Sequence, residues 1–134
     1  MDGKKTIVGF GSFDGFHDGH RYFINELKKR GERVVIVVPP DEIIELIKKR
    51  KPKYSLDERI GFVKKEYPEI EILSGDFTLG SWQVLKNFKP DIVGVGYDQG
   101  DLKEALQKSG IRPLPEIVMI DSHKPEKYKS SIVF

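Results

Sequence analysis

The stretch TIVGFGSFDGFHDGHRYFINELKKRG, residues 6–31, joins an apolar run to a helix-like run through a loop rich in glycine and aromatic residues. The apolar run, residues 6–10, predicts a buried strand, and the run from about His20 to Arg30 predicts a helix. His17 and His20, two of the three histidines in the chain, lie at the joint between these elements. The stretch therefore predicts a strand–loop–helix unit with two imidazoles at its turn.

Four more apolar runs predict strands: RVVIVV (33–38), EIEIL (69–73), DIVGV (91–95) and PEIVMI (115–120). Their valines and isoleucines follow one another almost without alternation. Such runs are typical of strands in a parallel sheet that is covered on both faces.

Helix-like stretches lie between the predicted strands. The first has Gly31 as its C-terminal stop, and Ser55 with Glu58 predicts a capping box at the start of the third. The others cover about residues 41–49, 81–88 and 101–109, and Gly110 ends the last. Strands that alternate with helices predict an α/β fold: a single Rossmann-like open sheet of five mainly parallel strands with helices on both faces, in one domain over residues 1–134.

Composition limits the class of protein. The chain has 134 residues, a net charge of +2, 33% charged residues and no cysteine. The balanced charge argues against a dedicated nucleic-acid binder, and the absence of cysteine excludes disulfides and thiolate catalysis. The first apolar run is too short for a signal or a membrane segment. We therefore expect a soluble cytoplasmic protein that binds neither nucleic acid nor membrane.

The turn after the first strand predicts a site for a polyphosphate. Gly11 allows a tight turn and close approach of a ligand to the backbone. The next helix is expected to begin near Gly19, and the N–H groups at a helix N-terminus favour phosphate. His17 and His20 lie three residues apart and project toward one side, where imidazole serves as a compact donor.

Two alternatives stand beside this interpretation. The two histidines can serve for capping or packing. They can also bind zinc, but zinc needs a third and a fourth ligand, and only His123 and scattered carboxylates remain.

GSFDGFHDGH (11–20) resembles the G-T-F-D-x-x-H-x-G-H signature of the cytidylyltransferase-like nucleotidyltransferases, with Ser12 in place of the commoner threonine. Three later segments resemble the same family in the same order: KKRKPKYSLDER (48–59), GVGYDQ (94–99) and KPEKYKSSIV (124–133). The last segment departs from the family pattern, because Lys124 stands where arginine is common and Lys129 replaces a hydroxyl residue.

The resemblance implies transfer of a nucleoside monophosphate from an NTP to a phosphorylated acceptor, with release of pyrophosphate and with Mg²⁺ bridging the triphosphate. It implies catalytic roles for His17, His20, Lys51 and Arg59. Trp82 and Tyr97 are the candidates for acceptor binding, since flat aromatic rings can stack on a flavin. The expected nucleotide-binding residues are Gly11, Ser12, Phe13, Asp14, Gly19, Lys48, Arg50, Gly96, Asp98, Gln99, Lys124, Tyr128, Ser130 and Ser131.

Several of these residues also have a plainer interpretation. The basic run at residues 48–53 can be a solvated face, and Arg59 can form a surface ion pair with Asp57 or Glu58. Asp14 either holds the loop or contacts the metal. Asp98 can form an Asx-turn with Gln99, Ser130 and Ser131 can cap a helical turn, and Trp82 can belong to the core.

Within the family, GYDQ, RKP and YKSS resemble archaeal-type FAD synthases. The leading hypothesis is therefore an FMN adenylyltransferase that uses ATP. A cytidylyltransferase acting on glycerol 3-phosphate or a similar polyol phosphate is the second hypothesis, and a non-catalytic nucleotide-binding module is the third. Members of the family often form dimers, so a homodimer is compatible with the resemblance.

Overall fold

The computed structural model describes residues 5–76, 82–96 and 99–121. In these residues five strands form one sheet in the order β3-β2-β1-β4-β5, and every pairing between neighbours is parallel. The strands are β1 (Thr6–Phe10), β2 (Arg33–Val38), β3 (Glu71–Ser74), β4 (Ile92–Gly96) and β5 (Glu116–Ile120). The helices are α1 (Asp18–Arg30), α2 (Asp41–Lys48), α3 (Leu56–Glu66), α4 (Gln83–Phe88) and α5 (Gly100–Gln107). The predicted fold class is confirmed.

Buried residues form two apolar clusters, one on each face of the sheet. Alternate residues of the strands contribute to each cluster: Ile36 faces α1 and α3, whereas Val35 and Val37 face α4 and α5. The cluster under α1 and α3 includes Phe23 and Val63, which are almost fully buried. The continuous apolar strands thus bury both of their faces, as parallel strands do.

A pair of glycines makes room for the first helix. Gly9 of β1 and Gly94 of β4 lie opposite each other in the sheet, and Leu27 of α1 is fully buried above them. A Cβ atom at Gly9 would lie 2.6 Å from Leu27 Cδ1, and one at Gly94 would lie 2.3 Å from Leu27 Cδ2. The two glycines therefore allow α1 to pack close to the sheet.

Some element boundaries differ from the sequence-based expectation. Helix α1 begins at Asp18 rather than His20, because the side chain of His17 caps it. Strand β3 begins at Glu71 rather than Glu69, because a turn closed by the Ile70 N–H on the Tyr67 carbonyl comes first. Gly31 ends α1, but with extended backbone: a Cβ atom there would lie 2.6 Å from Ile7 Cγ2.

Candidate active site

The candidate site lies at the carboxyl edge of the sheet, where β1 and β4 end side by side. The chain leaves β1 toward α1 on one face of the sheet, and it leaves β4 toward α5 on the other face. This is a topological switch point, the place where open α/β sheets bind ligands. We call residues 11–17, between β1 and α1, the signature loop, and residues 48–53 the basic loop.

His17 and His20 form a capping box at the start of α1. His17 Nδ1 accepts a hydrogen bond from the Gly19 N–H at 3.0 Å, and His20 Nδ1 accepts one from the His17 N–H at 3.2 Å. The two rings stack with centroids 4.0 Å apart. The capping role that the sequence left open is therefore present.

Capping also determines which nitrogen of each imidazole can donate a hydrogen bond. A neutral imidazole whose Nδ1 accepts a hydrogen bond carries its proton on Nε2. Each ring therefore uses one nitrogen for the helix and has a donor on the other. Two such donors beside a helix N-terminus suit oxygens that gain negative charge. Capping and a role in catalysis are thus compatible, because they use different atoms of the same ring.

Aromatic rings pack against His20, and an ion pair lies beside one of them. The ring of Phe16 stacks on His20 with centroids 5.5 Å apart, and that of Phe13 lies at 5.1 Å. Phe13 is fully buried and has a left-handed backbone with φ of 52°. The guanidinium of Arg21 lies 5.1 Å from the centroid of Phe16 and donates twice to Glu66 at 2.7 Å. The hydrogen bond from Arg21 lowers the pKa of Glu66, so this link stays charged.

Asp14 ties the signature loop to the end of the basic loop. Its Oδ2 accepts from the Lys53 N–H and its Oδ1 from the Tyr54 N–H, both at 2.8 Å. Of the two roles that the sequence left open for Asp14, the structure shows the one that holds the loop. The side chains of Lys49, Arg50, Lys51 and Lys53 are exposed and that of Lys48 is half-buried, so phosphate contacts by the basic loop stay a prediction.

Arg59 lies beneath the site and is fully buried. Its guanidinium donates to the carbonyls of Tyr54 at 3.0 Å, Ser12 at 3.2 Å and Pro39 at 2.9 Å, and to the carboxylate of Asp41. The alternative of a surface ion pair with a neighbouring carboxylate is wrong, because the side chain points inward and pairs with Asp41. Contact of Arg59 with phosphate is implied by the resemblance alone, since all the acceptors shown here belong to the chain itself.

Gln99 joins the ends of the two central strands. Its Oε1 accepts from the Gly96 N–H at 2.8 Å, and its Nε2 donates to the Phe10 carbonyl at 3.0 Å. The side chain is almost fully buried. The amide therefore has a scaffold role at the switch point, and its contact with the nucleotide stays a prediction.

The signature loop does not turn at the predicted place. The Gly11 N–H donates to the Val37 carbonyl at 3.2 Å, so Gly11 still follows the sheet. Within this loop the left-handed residues are Phe13 and Gly15. Ser12 is almost fully buried, and Gly19 lies in the first turn of α1.

Trp82 precedes α4 with a left-handed φ of 57° and packs, half-buried, against the cluster under α4 and α5. The carboxylate of Asp76, just after β3, accepts from the Gln83 N–H at 2.6 Å and the Val84 N–H at 3.0 Å. Local sequence patterns do not predict this role of Asp76, because it lies seven residues from the helix that it caps. A role of Trp82 in acceptor binding stays a prediction.

Six predicted site residues lie outside the described part of the chain: Tyr97, Asp98, Lys124, Tyr128, Ser130 and Ser131.

A groove of about 380 Å³ lies at the opposite, amino edge of the sheet, between the end of α1 and the start of β3. Its lysines and arginines are paired: Lys28 with Glu69 at 3.0 Å and Arg33 with Glu71. The groove lies at the end of the strands opposite to both histidines. Its basic residues are neutralised by neighbouring glutamates, as is usual for ion pairs on a protein surface. The groove therefore lacks the donors that mark the candidate site at the carboxyl edge.

Within the described ranges, no helix has both the length and the apolar composition that crossing a membrane requires. In the same ranges, no three His, Asp or Glu side chains approach one another closely enough to hold a metal ion.

Comparison with known proteins places this geometry in a family. Residues 8–133 match the cytidylyltransferase-like family. The FAD synthase of Thermococcus sibiricus is 33% identical over 133 residues, which cover 96% of this chain and 86% of that protein. The FAD synthase of Thermococcus onnurineus is 29% identical, over 96% and 87% of the two chains. Among solved structures, the lipopolysaccharide core biosynthesis protein of Thermoplasma volcanium superposes with a TM-score of 0.78 at 27% identity, over 91% of this chain and all of that one.

Proposed function

This chain belongs to the cytidylyltransferase-like family and is a nucleotidyltransferase, and on that basis we propose that it transfers AMP from ATP to the phosphate of FMN. The products are FAD and pyrophosphate. The observation that carries the choice of substrates is the similarity to FAD synthases over nearly the whole chain.

The reaction forms one P–O bond and breaks another. A phosphate oxygen of FMN attacks the α-phosphorus of ATP, and the oxygen that bridges the α- and β-phosphorus leaves with pyrophosphate. The attacking oxygen is already ionised at neutral pH, so the reaction needs no general base. The tasks left to the protein are to align two polyanions and to stabilise the charge that develops on the α-phosphate and the leaving group.

His17 and His20 suit the second task. Their Nδ1 atoms accept from the backbone, so their Nε2–H groups are the donors, and the helix N-terminus adds its own positive potential. Donors fixed by capping and stacking do not need to reorganise as charge develops, which is the condition for large electrostatic stabilisation.

The basic loop suits the first task. Lys48, Arg50 and Lys51 lie in a segment whose end is tied to the signature loop by Asp14. The tie fixes the end of the basic loop at the signature loop, and we propose that the three cations bind the triphosphate in both the ground and the transition state. Of these residues, Lys51 is the one that the family resemblance places among the catalytic residues.

The family uses a divalent metal ion with the NTP, and we propose that the ion is Mg²⁺, which prefers hard phosphate oxygens. Mg²⁺ bound to the triphosphate supplies neutralisation of charge on the leaving pyrophosphate. Both carboxylate oxygens of Asp14 accept backbone hydrogen bonds, so this residue fits a loop-holding role better than that of a metal ligand.

The remaining contacts are assigned to the two substrates. Gly11, Ser12, Phe13, Gly19 and Gly96 would shape the backbone around the nucleotide, with Asp98 and Gln99 near the ribose or base. Lys124, Tyr128, Ser130 and Ser131 would complete the phosphate site. Trp82 and Tyr97 are the proposed stacking surface for the flavin ring.

Incubation with FMN, ATP and Mg²⁺, followed by chromatographic detection of FAD, tests the proposal directly. We expect FAD and an equal amount of pyrophosphate. A parallel reaction with CTP and glycerol 3-phosphate is the comparison. The proposal fails if no FAD forms while that reaction gives pyrophosphate and a CDP-alcohol.

A further inference from the structure

We propose that Arg59 is a positioning residue for this transfer, which holds the basic loop against the signature loop from beneath and does not itself contact substrate. The inference rests on the proposed function for its kinetic consequence, but its structural basis is independent of the substrates. It concerns one buried guanidinium and the backbone groups around it.

The guanidinium of Arg59 joins three segments that meet at the site. It donates to Ser12 in the signature loop, to Pro39 and Asp41 where β2 leads into α2, and to Tyr54 directly after the basic loop. The side chain is fully buried. A buried cation surrounded by acceptors from its own chain fits structural organisation of the site better than direct binding of phosphate.

Arg59 and Asp14 hold the same residue from two directions. Asp14 accepts from the N–H of Tyr54, and Arg59 donates to the carbonyl of Tyr54. Both polar backbone groups of Tyr54 are therefore fixed by charged side chains, and hydrogen bonds to charged groups are stronger than neutral ones. Since Arg59 also binds the carbonyl of Ser12, the two loops are joined as one unit.

Only arginine suits this position. The planar fork of guanidinium places donors in several fixed directions, whereas the ammonium of lysine is a single point with three donors. Lysine at position 59 keeps the charge near Asp41 but cannot reach all four acceptors. We therefore expect Arg59→Lys to loosen the end of the basic loop while the charge is retained.

The experiment measures the amide exchange of the basic loop and the kinetics of the reaction separately, both in the full chain. Amide hydrogen exchange of the substrate-free protein reports on Lys53 and Tyr54, and steady-state kinetics report on ATP and FMN. We expect Arg59→Lys to speed exchange in this segment about tenfold and to lower kcat/KM for ATP about tenfold. Arg30→Lys is the control, because Arg30 pairs with Glu26 at the other end of α1; it should change neither quantity.

A second comparison uses Asp14. Because Arg59 and Asp14 hold one loop end, Arg59→Lys and Asp14→Asn together should cost less than the product of their separate effects on kcat/KM. Two results for Arg59→Lys alone would overturn the inference. Lower activity with unchanged amide exchange would indicate direct contact of Arg59 with substrate. Faster exchange with unchanged activity would show that holding the loop has no role in the reaction.

An unfolded variant or an inactive parent protein would still leave the role of Arg59 testable. If Arg59→Lys is unfolded by circular dichroism, Asp41→Asn removes only the charged partner and should speed exchange about threefold; no change would overturn the inference. If the parent protein forms no FAD, the proposed function fails. The exchange rates and the Kd for ATP then decide on Arg59, with faster exchange and weaker binding expected.

Discussion

At the scale of single residues, His17 and His20 each accept a capping hydrogen bond at Nδ1, which in a neutral imidazole leaves the proton on Nε2. The H-x-x-H spacing left capping and catalysis open as alternatives; the structure shows the capping contacts, and the proposed catalytic role uses the other nitrogen of each ring. The sequence does not reveal that Phe16 stacks on His20, because ring contacts depend on how the loop folds.

We predict that His17→Ala and His20→Ala each lower kcat far more than they weaken ATP binding. Preorganised donors to developing charge are worth on the order of 100- to 1,000-fold in kcat, whereas the ground state uses them less. Initial rates of FAD formation and the Kd for ATP are the measurements.

Loss of the cap is the complication, and His17→Asn separates it. The Oδ1 of asparagine can accept from the Gly19 N–H as Nδ1 does, and asparagine is a good N-cap, but it has no donor at the Nε2 position. We expect His17→Asn to keep the melting temperature and to be as inactive as the alanine variant. Near-parental kcat in His17→Asn would mean that His17 serves the helix alone.

At the scale of elements, the capping box of α3 is confirmed. Ser55 accepts from the Glu58 N–H at 3.2 Å, and Glu58 accepts from the Ser55 N–H at 3.0 Å, as the SLDE motif indicates. A local hydrogen-bond pattern of this kind can be read from spacing alone. The cap of α4 by Asp76 was not predicted, because its partners are distant in sequence.

We predict that neutralising Lys48, Arg50 and Lys51 to glutamine raises KM for ATP more than it lowers kcat. Cations that hold the triphosphate in ground and transition states alike contribute uniform binding. The salt dependence of ATP binding should weaken as well. Steady-state kinetics at two ionic strengths are the measurement.

A matched triple variant controls for net charge. Lys64, Lys65 and Lys86 are exposed on α3 and α4, and their change to glutamine removes the same charge away from the loop. This control should keep the parental KM. An unchanged KM at low salt in the loop variant would identify the basic loop as a solvated face.

At the scale of the whole molecule, the site depends on how closely α1 packs on the sheet. Leu27 lies over Gly9 and Gly94, and the same helix has the two histidines at its other end. Close packing of the helix body therefore positions the histidine donors at the carboxyl edge.

We predict that Gly94→Ala destabilises the protein by about 1–3 kcal/mol, the usual cost of overpacking a core. The new Cβ atom would lie 2.3 Å from Cδ2 of the buried Leu27, so either this side chain or α1 must shift. Chemical denaturation measures the free energy of unfolding.

Gly61 provides the control on α3. A Cβ atom there meets nothing within 4 Å, and alanine favours helix over glycine by about 0.5–1 kcal/mol. Gly61→Ala should therefore stabilise the protein slightly. Equal stability of Gly94→Ala and the parent would mean that Leu27 rearranges at no cost.

The sequence by itself determined the order and type of the elements, and it predicted the carboxyl edge and the signature loop as the candidate site. These follow from local patterns: apolar runs, capping motifs and residue spacing. Only the tertiary structure decided the roles of Arg59, Asp14 and Gln99, whose hydrogen-bond partners lie up to 89 residues away. The sequence does not show whether a charged or amide side chain lies on the surface or in the core. Burial and the geometry of distant backbone groups determine whether it holds the scaffold or faces the substrate.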